Sequence, residues 1–253
     1  MPLSDDEIRA ILIRKKRQQQ KKKRQKKRRI TAIAILILIL AVVIIVSKAC
    51  GGSKETSISK EETKAANGSS GIIYLDPGHG GIDGGTADSG RLEKDDNLKL
   101  ALAVQEELEN LGYTVYMSRT TDKDMDVESR GNDANAKKAK LFISIHRNQS
   151  NDGEGTGVEV WIPAANTEDC QLLGNNLMNA LEAQGFVARG VHSGTLVDPN
   201  DDYLENSVPT MTRCLIEVGF TSNANDNKLF DKNLNNNAKA MADAIDKTYG
   251  SLY

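Results

Sequence analysis

The chain has 253 residues and a formal net charge of −2, room for one domain of ordinary size plus accessory segments. The charge is unevenly split: residues 1–29 carry 13 Lys/Arg against 3 Asp/Glu, and the rest carries 20 against 32. An acidic folded part excludes nucleic-acid binding as its work, because phosphate backbones reward positive surface.

Residues 1–29 read as a basic cytoplasmic arm. Ile30 to Val46 follows directly, seventeen residues with Thr31 the only polar one. As a helix this run spans about 25 Å, just short of the roughly 30 Å hydrocarbon core, and Ser47 extends it. The sequence therefore predicts one transmembrane signal-anchor helix over residues 30–47. Its Lys/Arg-rich flank belongs in the cytoplasm and everything beyond it outside the cell membrane. Secretion after signal cleavage is the alternative, although Ser47-Lys48-Ala49 makes a poor processing site. Ser47 and Lys48 also argue against a lipoprotein cysteine at Cys50. Residues 48–70, rich in Gly, Ser, Lys, Glu and Ala, cannot build a core and read as a flexible tether.

The folded domain is predicted over residues 71–253. Ile72 to Leu75 reads as its first strand and Asp96 to Leu111 as its first long helix. The helix has an apolar stripe of Leu98, Leu102, Leu108 and Leu111, with Gln105 between. A strand is expected over Tyr113 to Met117, a helix over Val127 to Ala139, and a buried strand over Leu141 to Ile145. Gly157 to Trp161 alternates like a strand nearer an edge. Asp169 to Gln184 reads as helix, Cys214 to Ile216 as the last core strand, and Ala238 to Tyr249 as the closing helix. Strand and helix in alternation predict an α/β fold, a single three-layer domain with a mostly parallel central sheet flanked by helices. Cys214 sits in an apolar run and reads as a small buried hydrophobe. A Cys170–Cys214 bridge stays open on spacing alone.

Chemistry concentrates at strand ends. Only three histidines occur. Two of them, His79 in Asp76-Pro77-Gly78-His79-Gly80-Gly81 and His146 in Ser144-Ile145-His146-Arg147-Asn148, follow short apolar strands. Such strands deliver their last side chains to one rim of a sheet. Glu93 stands just before the first long helix, and Glu217 ends the last core strand. Two imidazoles and one carboxylate with an open fourth position form a known catalytic zinc set. Glu93 is also explicable as helix N-terminal charge. Glu217, directly after Leu215-Ile216, faces desolvation and needs a metal, proton or cation nearby. Asp76 and Asp83 compete as ligands, and Asp76 is also placed to orient His79 or bind turn N–H groups. The 192–210 stretch, with His192, Asp198, Asp201, Asp202 and Glu205, is a further candidate rim loop.

These blocks resemble the zinc-dependent N-acetylmuramoyl-L-alanine amidase family, the type-3 amidase domain that acts on bacterial peptidoglycan. The matching residues are Leu75 to Gly81, Glu93-Lys94-Asp95 with Asn97-Leu98, and Arg130 with Ala134-Asn135. Then come Phe142 to His146, Gly157 to Val160, and Ile216 to Asn223, in family order across nearly all of residues 72–250. The resemblance implies that His79, Glu93 and His146 hold one Zn²⁺ ion. It makes Glu217 the catalytic carboxylate and water the attacking group. The bond cut would join the lactyl carbonyl of N-acetylmuramic acid to the amine of L-alanine. Asp76, Arg130, Asn135 and Arg147 are candidates for touching substrate or supporting the ligands.

Two departures bear on specificity. Small residues usually follow the second histidine, where this chain has Arg147-Asn148-Gln149; Arg147 there either contacts a substrate carboxylate or narrows the entrance. Pro and apolar residues usually precede the last carboxylate, and here Met211-Thr212-Arg213-Cys214 intervenes between Pro209 and Glu217. The interval between His146 and Glu217 is too short for the blocking helix of regulated members, which predicts an accessible site. Peptidoglycan and the membrane are the expected partners, and a monomeric catalytic domain is expected. The competing readings are a zinc hydrolase acting on another wall bond and a non-catalytic surface protein binding wall glycopeptide.

Overall fold

The computed structural model of the protein describes residues 71–253 apart from Ser89. The basic arm, the membrane-spanning helix and the tether read from the sequence lie outside the described residues. Among the described residues no helix is long and apolar enough to cross a membrane.

In chain order the elements are β1 (Ile72–Pro77), β2 (Ala87–Asp88), β3 (Arg91–Leu92), α1 (Glu93–Asn110), β4 (Thr114–Met117), α2 (Val127–Ala136) and β5 (Leu141–Asn148). There follow β6 (Val158–Ile162), α3 (Glu168–Glu182), β7 (Ala188–Ser193), α4 (Leu204–Ser207), β8 (Thr212–Phe220), α5 (Ala224–Lys232) and α6 (Leu234–Leu252). Six strands form one sheet in the order β4-β1-β5-β8-β6-β7, and β2 and β3 pair separately. The pairings β1–β4, β1–β5, β5–β8 and β6–β7 are parallel, whereas β6 meets β8 antiparallel. The sheet is therefore mixed, with β6 and β7 running against the other four strands. The sequence places Gly157 to Trp161 near an edge; β6 lies one strand in, because β7 covers it. Arg189, Gly190 and His192 interrupt the apolar pattern of β7, so its sequence carries no strand signal.

Period-two alternation sorts the strand residues between two unlike faces. Ile73, Leu75, Leu141, Ile143, Ile145, Val160, Cys214 and Ile216 point to one side. There they meet Leu100 and Leu108 of α1, Leu173 and Leu177 of α3, and Met241 and Ile245 of α6. Each such buried aliphatic side chain contributes about 1.5–3 kcal/mol, so this face carries most of the stability. The other face has a small cluster of Tyr74, Phe142, Ala134 and Ala139 beneath α2.

Local sequence starts the helices. Asp126 accepts from Ser129 N at 2.9 Å to open α2, and Thr167 Oγ1 accepts from Cys170 N at 3.3 Å to open α3. Helix α1 departs from the leucine stripe. Its buried face is Glu93, Asp96, Asn97, Leu100, Ala101, Val104 and Leu108, and Leu102 and Leu111 are exposed. Small and polar residues follow one another around that face because its first turn lies against the functional rim rather than the apolar core. Cys170 and Cys214 are both free and buried, so no bridge joins them.

Candidate metal centre

The alternation that buries Ile143 and Ile145 turns Ser144 and His146 to the thinly covered face, and in β8 the same rule turns Leu215 and Glu217 there. His146 stands directly opposite Glu217 in the β5–β8 register, and Glu217 stands opposite Glu159 in β6. One row across three strands thus carries an imidazole and two carboxylates. A cavity of about 710 Å³ lies over this rim, lined among others by His79, Glu93, His146, Tyr203, Glu205 and Glu217.

His79 follows β1 in the turn before α1, with a left-handed backbone at φ 63°. A non-glycine residue rarely adopts that conformation, and the surrounding contacts hold it there. Arg130 donates to the His79 carbonyl at 3.0 Å, and Asp76 accepts from Arg130 at 3.3 Å. Asp83 accepts from His79 Nδ1 at 2.9 Å, which leaves Nε2 facing Glu93 Oε1 at 3.1 Å. Gly78 admits the second imidazole: a Cβ there would lie 2.2 Å from His146 Cε1. Gly85, at φ +66°, has the same role on the other side, where a Cβ would lie 2.6 Å from both Glu93 Oε2 and the His79 ring.

Glu93 is the first residue of α1 and is buried. Its Oε1 lies 3.0 Å from His146 Nδ1 and accepts from Arg147 N at 3.2 Å and Asn97 Nδ2 at 3.3 Å. Thr86 N donates to Oε2 at 2.8 Å. One donor atom each from His79, Glu93 and His146 falls within 4.8 Å of the others, a group that could hold a metal ion. Two imidazole nitrogens and a carboxylate oxygen match zinc's preferred donors, and three protein ligands leave a position for water. Opposite His146, Glu217 Oε2 is buried without a hydrogen-bond partner, as expected of an oxygen placed for a ligand the protein itself does not supply.

The electrostatics follow from this crowding. Burial alone would raise the Glu93 carboxyl, but hydrogen bonds and charge from His146 and His79 hold it far below the usual carboxylate range. Burial opposes a charge on His146, yet Glu93, helped by Glu217 and Glu205, raises that imidazole to about 9. Glu217 goes the other way. Burial pushes its carboxyl up to about 7, with Glu93 and Glu159 adding to the push and His146 opposing it.

The remaining candidates take other places. Asp76 is no ligand and does not touch the His79 ring: its oxygens accept from Ser118 at 2.6 Å, Ser144 at 2.9 Å and Arg130. Arg130 also binds Met125 O, so its guanidinium ties that carbonyl to the His79 backbone. Asn135 donates to Val208 O at 3.0 Å and accepts from Thr210 N at 2.9 Å, so it fixes the approach to β8. Arg147 corrects the sequence reading. Its guanidinium turns to the helix face, binds Asp96 at 2.6 Å and Asn227 at 2.7 Å, and stacks 4.3 Å from the Phe230 ring. A side chain one residue from His146 in a strand points to the opposite face, so the Arg147 guanidinium is engaged on the helix side, while the residue still borders the cavity.

Several supporting residues were given no role by the sequence: Lys94 and Asn97 stood in a matching block without one, and Arg119 was not singled out. Asn97 stands four residues after Glu93, a helical spacing that could have revealed it. Arg119 donates to Pro77 O at 3.0 Å and Gly78 O at 2.8 Å, and Lys94 donates to Gly81 O at 2.9 Å. No local pattern assigns these two their roles, since their partners are distant backbone carbonyls.

A mixed α/β sheet that gathers two imidazoles and a carboxylate able to hold a metal ion, with a second, raised carboxyl at the same cavity, is the arrangement of a hydrolase centre. The family model described as N-acetylmuramoyl-L-alanine amidase matches residues 73–247, and the chain belongs to that family. The germination-specific N-acetylmuramoyl-L-alanine amidase of Bacillus subtilis is 33% identical over 178 residues, 64% of this chain and 71% of the relative. The crystal structure of an N-acetylmuramoyl-L-alanine amidase from Clostridium difficile 630 superposes with a TM-score of 0.67 at 26% identity, covering 73% of this chain and 99% of that one. The catalytic domain of CwlV, an amidase from Bacillus (Paenibacillus) polymyxa var. colistinus, gives 0.64 at 28% identity over 72% and 99%.

Proposed function

We propose that the protein hydrolyses the amide between N-acetylmuramic acid and L-alanine in peptidoglycan, with one zinc ion held by His79, Glu93 and His146. The observation that carries this reading is the convergence of those three donor atoms within 4.8 Å, with Glu217 directly across the strand pair from His146. A zinc ion bound there would lower the pKa of water toward neutrality and polarise the scissile carbonyl.

The chain's own residues do the rest. Asp83 holds His79 Nδ1 and so presents Nε2 inward. Glu217, whose Oε2 is buried with no hydrogen-bond partner, accepts the proton of the attacking water there and delivers it to the departing alanine nitrogen. Burial raises this carboxyl and so favours its holding a proton, as a general acid–base group must do in the second half of the step.

The hydrophobic run at residues 30–47 and its basic flank support a single-pass anchor that leaves the domain outside the membrane, where peptidoglycan is met. Protease treatment of intact cells tests this: the domain should be shaved off while an epitope on the basic arm stays protected.

The function is tested by digesting purified peptidoglycan with the full chain and weighing the products. Intact stem peptides with a free L-alanine amine are expected. Cleavage inside the peptide or the glycan would refute the assignment.

A further inference from the structure

Each imidazole of the metal group turns one nitrogen to Glu93 and the other away. For His79 the outward nitrogen, Nδ1, has its carboxylate: Asp83 Oδ2 at 2.9 Å. For His146 the outward nitrogen, Nε2, is buried and has no hydrogen-bond partner. The carboxylate that faces it is Glu205, whose Oε1 lies 3.9 Å away. That side chain is only 14% exposed, and it makes no other ion pair among the described residues.

Glu205 does not sit on a loose loop. It belongs to α4, where its neighbour Asn206 is fully buried and donates to Trp161 O at 2.9 Å. Arg213 Nε donates to Asn206 O from the adjacent strand β8. On the other side of Glu205, the Tyr203 ring meets Trp161 edge-on at 5.5 Å. The backbone is thus pinned on both sides, and the gap left to hydrogen-bond length is under an ångström or so, within the range that side-chain torsions span.

We propose that Glu205 is the outer carboxylate partner of His146. It accepts the Nε2–H proton and so commits Nδ1, the nitrogen beside Glu93, to the metal. An imidazole binds a cation through one nitrogen only when the other carries the proton, and a carboxylate on that proton makes the ring a stronger donor. The two histidines then share one design, Asp83 behind one and Glu205 behind the other. Glu205 is a positioning residue acting through His146. The inference rests on the metal site of the proposed function but not on its substrate.

The test measures Zn²⁺ affinity of the full chain by competition with a chromogenic chelator, in the absence of peptidoglycan. Outer partners of metal-binding histidines are worth about 10–100-fold in affinity, and a loss of that size is expected in Glu205→Ala. Glu205→Gln keeps an oxygen that accepts from Nε2–H and should lose less than Glu205→Ala. The visible absorption of the Co²⁺-loaded protein should be the same in Glu205→Gln as in the unaltered chain, because Glu205 lies outside the coordination sphere. Equal zinc affinity in all three proteins overturns the proposal. So does a changed Co²⁺ spectrum in Glu205→Gln, the mark of a lost direct ligand. Should peptidoglycan remain uncut while Glu205→Ala still weakens zinc, the amidase reading fails and the role of Glu205 stands.

Discussion

Glu217→Gln separates what this carboxylate does for chemistry from what it costs the fold. In the unfolded chain the group titrates near 4.5, and in the metal-free folded protein burial raises it to about 7. Between those values the folded state binds more protons than the unfolded state, so stability falls as pH rises through the window, and the loss is complete above it. At 1.36 kcal/mol per unit, the charged carboxylate destabilises the metal-free fold by about 3 kcal/mol. The glutamine variant, neutral throughout, should match the unaltered protein at pH 4.5 and exceed it by about 2–3 kcal/mol at pH 8. Urea unfolding of the chelated full chain reports this through Trp161, the sole tryptophan, whose ring lies tilted against that of His192 at 4.9 Å. On peptidoglycan the same variant should lose about 10²–10⁴-fold in rate with metal bound. A stability difference that does not change between pH 4.5 and 8, or a less stable variant at pH 8, would refute the reasoning.

Chelation should abolish cleavage, and zinc at one hundred times its Kd should restore it while adding about 2.7 kcal/mol to urea stability. Glu93→Ala should show no such gain. Gly78→Ala places a methyl 2.2 Å from the His146 ring, so the imidazole must move; zinc affinity by chelator competition should fall at least about tenfold. Arg147→Met removes a partner of buried Asp96, which keeps Arg91, and should cost about 3 kcal/mol on urea unfolding. Initial rates per folded molecule should stay unchanged. A raised KM in that variant would return Arg147 to a role with substrate.

The meeting of His79 and His146 was legible in the sequence because both follow apolar strands whose ends share one rim, whereas Glu93 read equally well as helix N-terminal charge and joined them only through the family resemblance. Glu217 was legible for a related reason, a charge set against Leu215-Ile216 at the close of a core strand. Arg147 misled because adjacency in sequence is opposition in a strand: the residue beside His146 faces the helices. The leucines of α1 misled because Asn97, Ala101 and Val104, not Leu98 and Leu102, line the buried face. The strand β7 and the reversal of β6 against β8 were invisible, since neither alternation nor loop length specifies direction across a mixed sheet. Asp83 and Glu205 stood among many acidic residues. Only their distances to the outward imidazole nitrogens single them out.

The unequal faces of the sheet have a consequence for how such a domain changes over time. Nearly all the oily packing lies on the side of α1, α3 and α6, while the working groups project from the other side beneath short loops and a four-residue helix. Insertions or new loops over that second side would reshape the entrance to the cavity without disturbing the scaffold that aligns His146 with Glu217. A lineage could thus acquire a cover, a docking arm or a different peptide preference and keep the same three donor atoms in register.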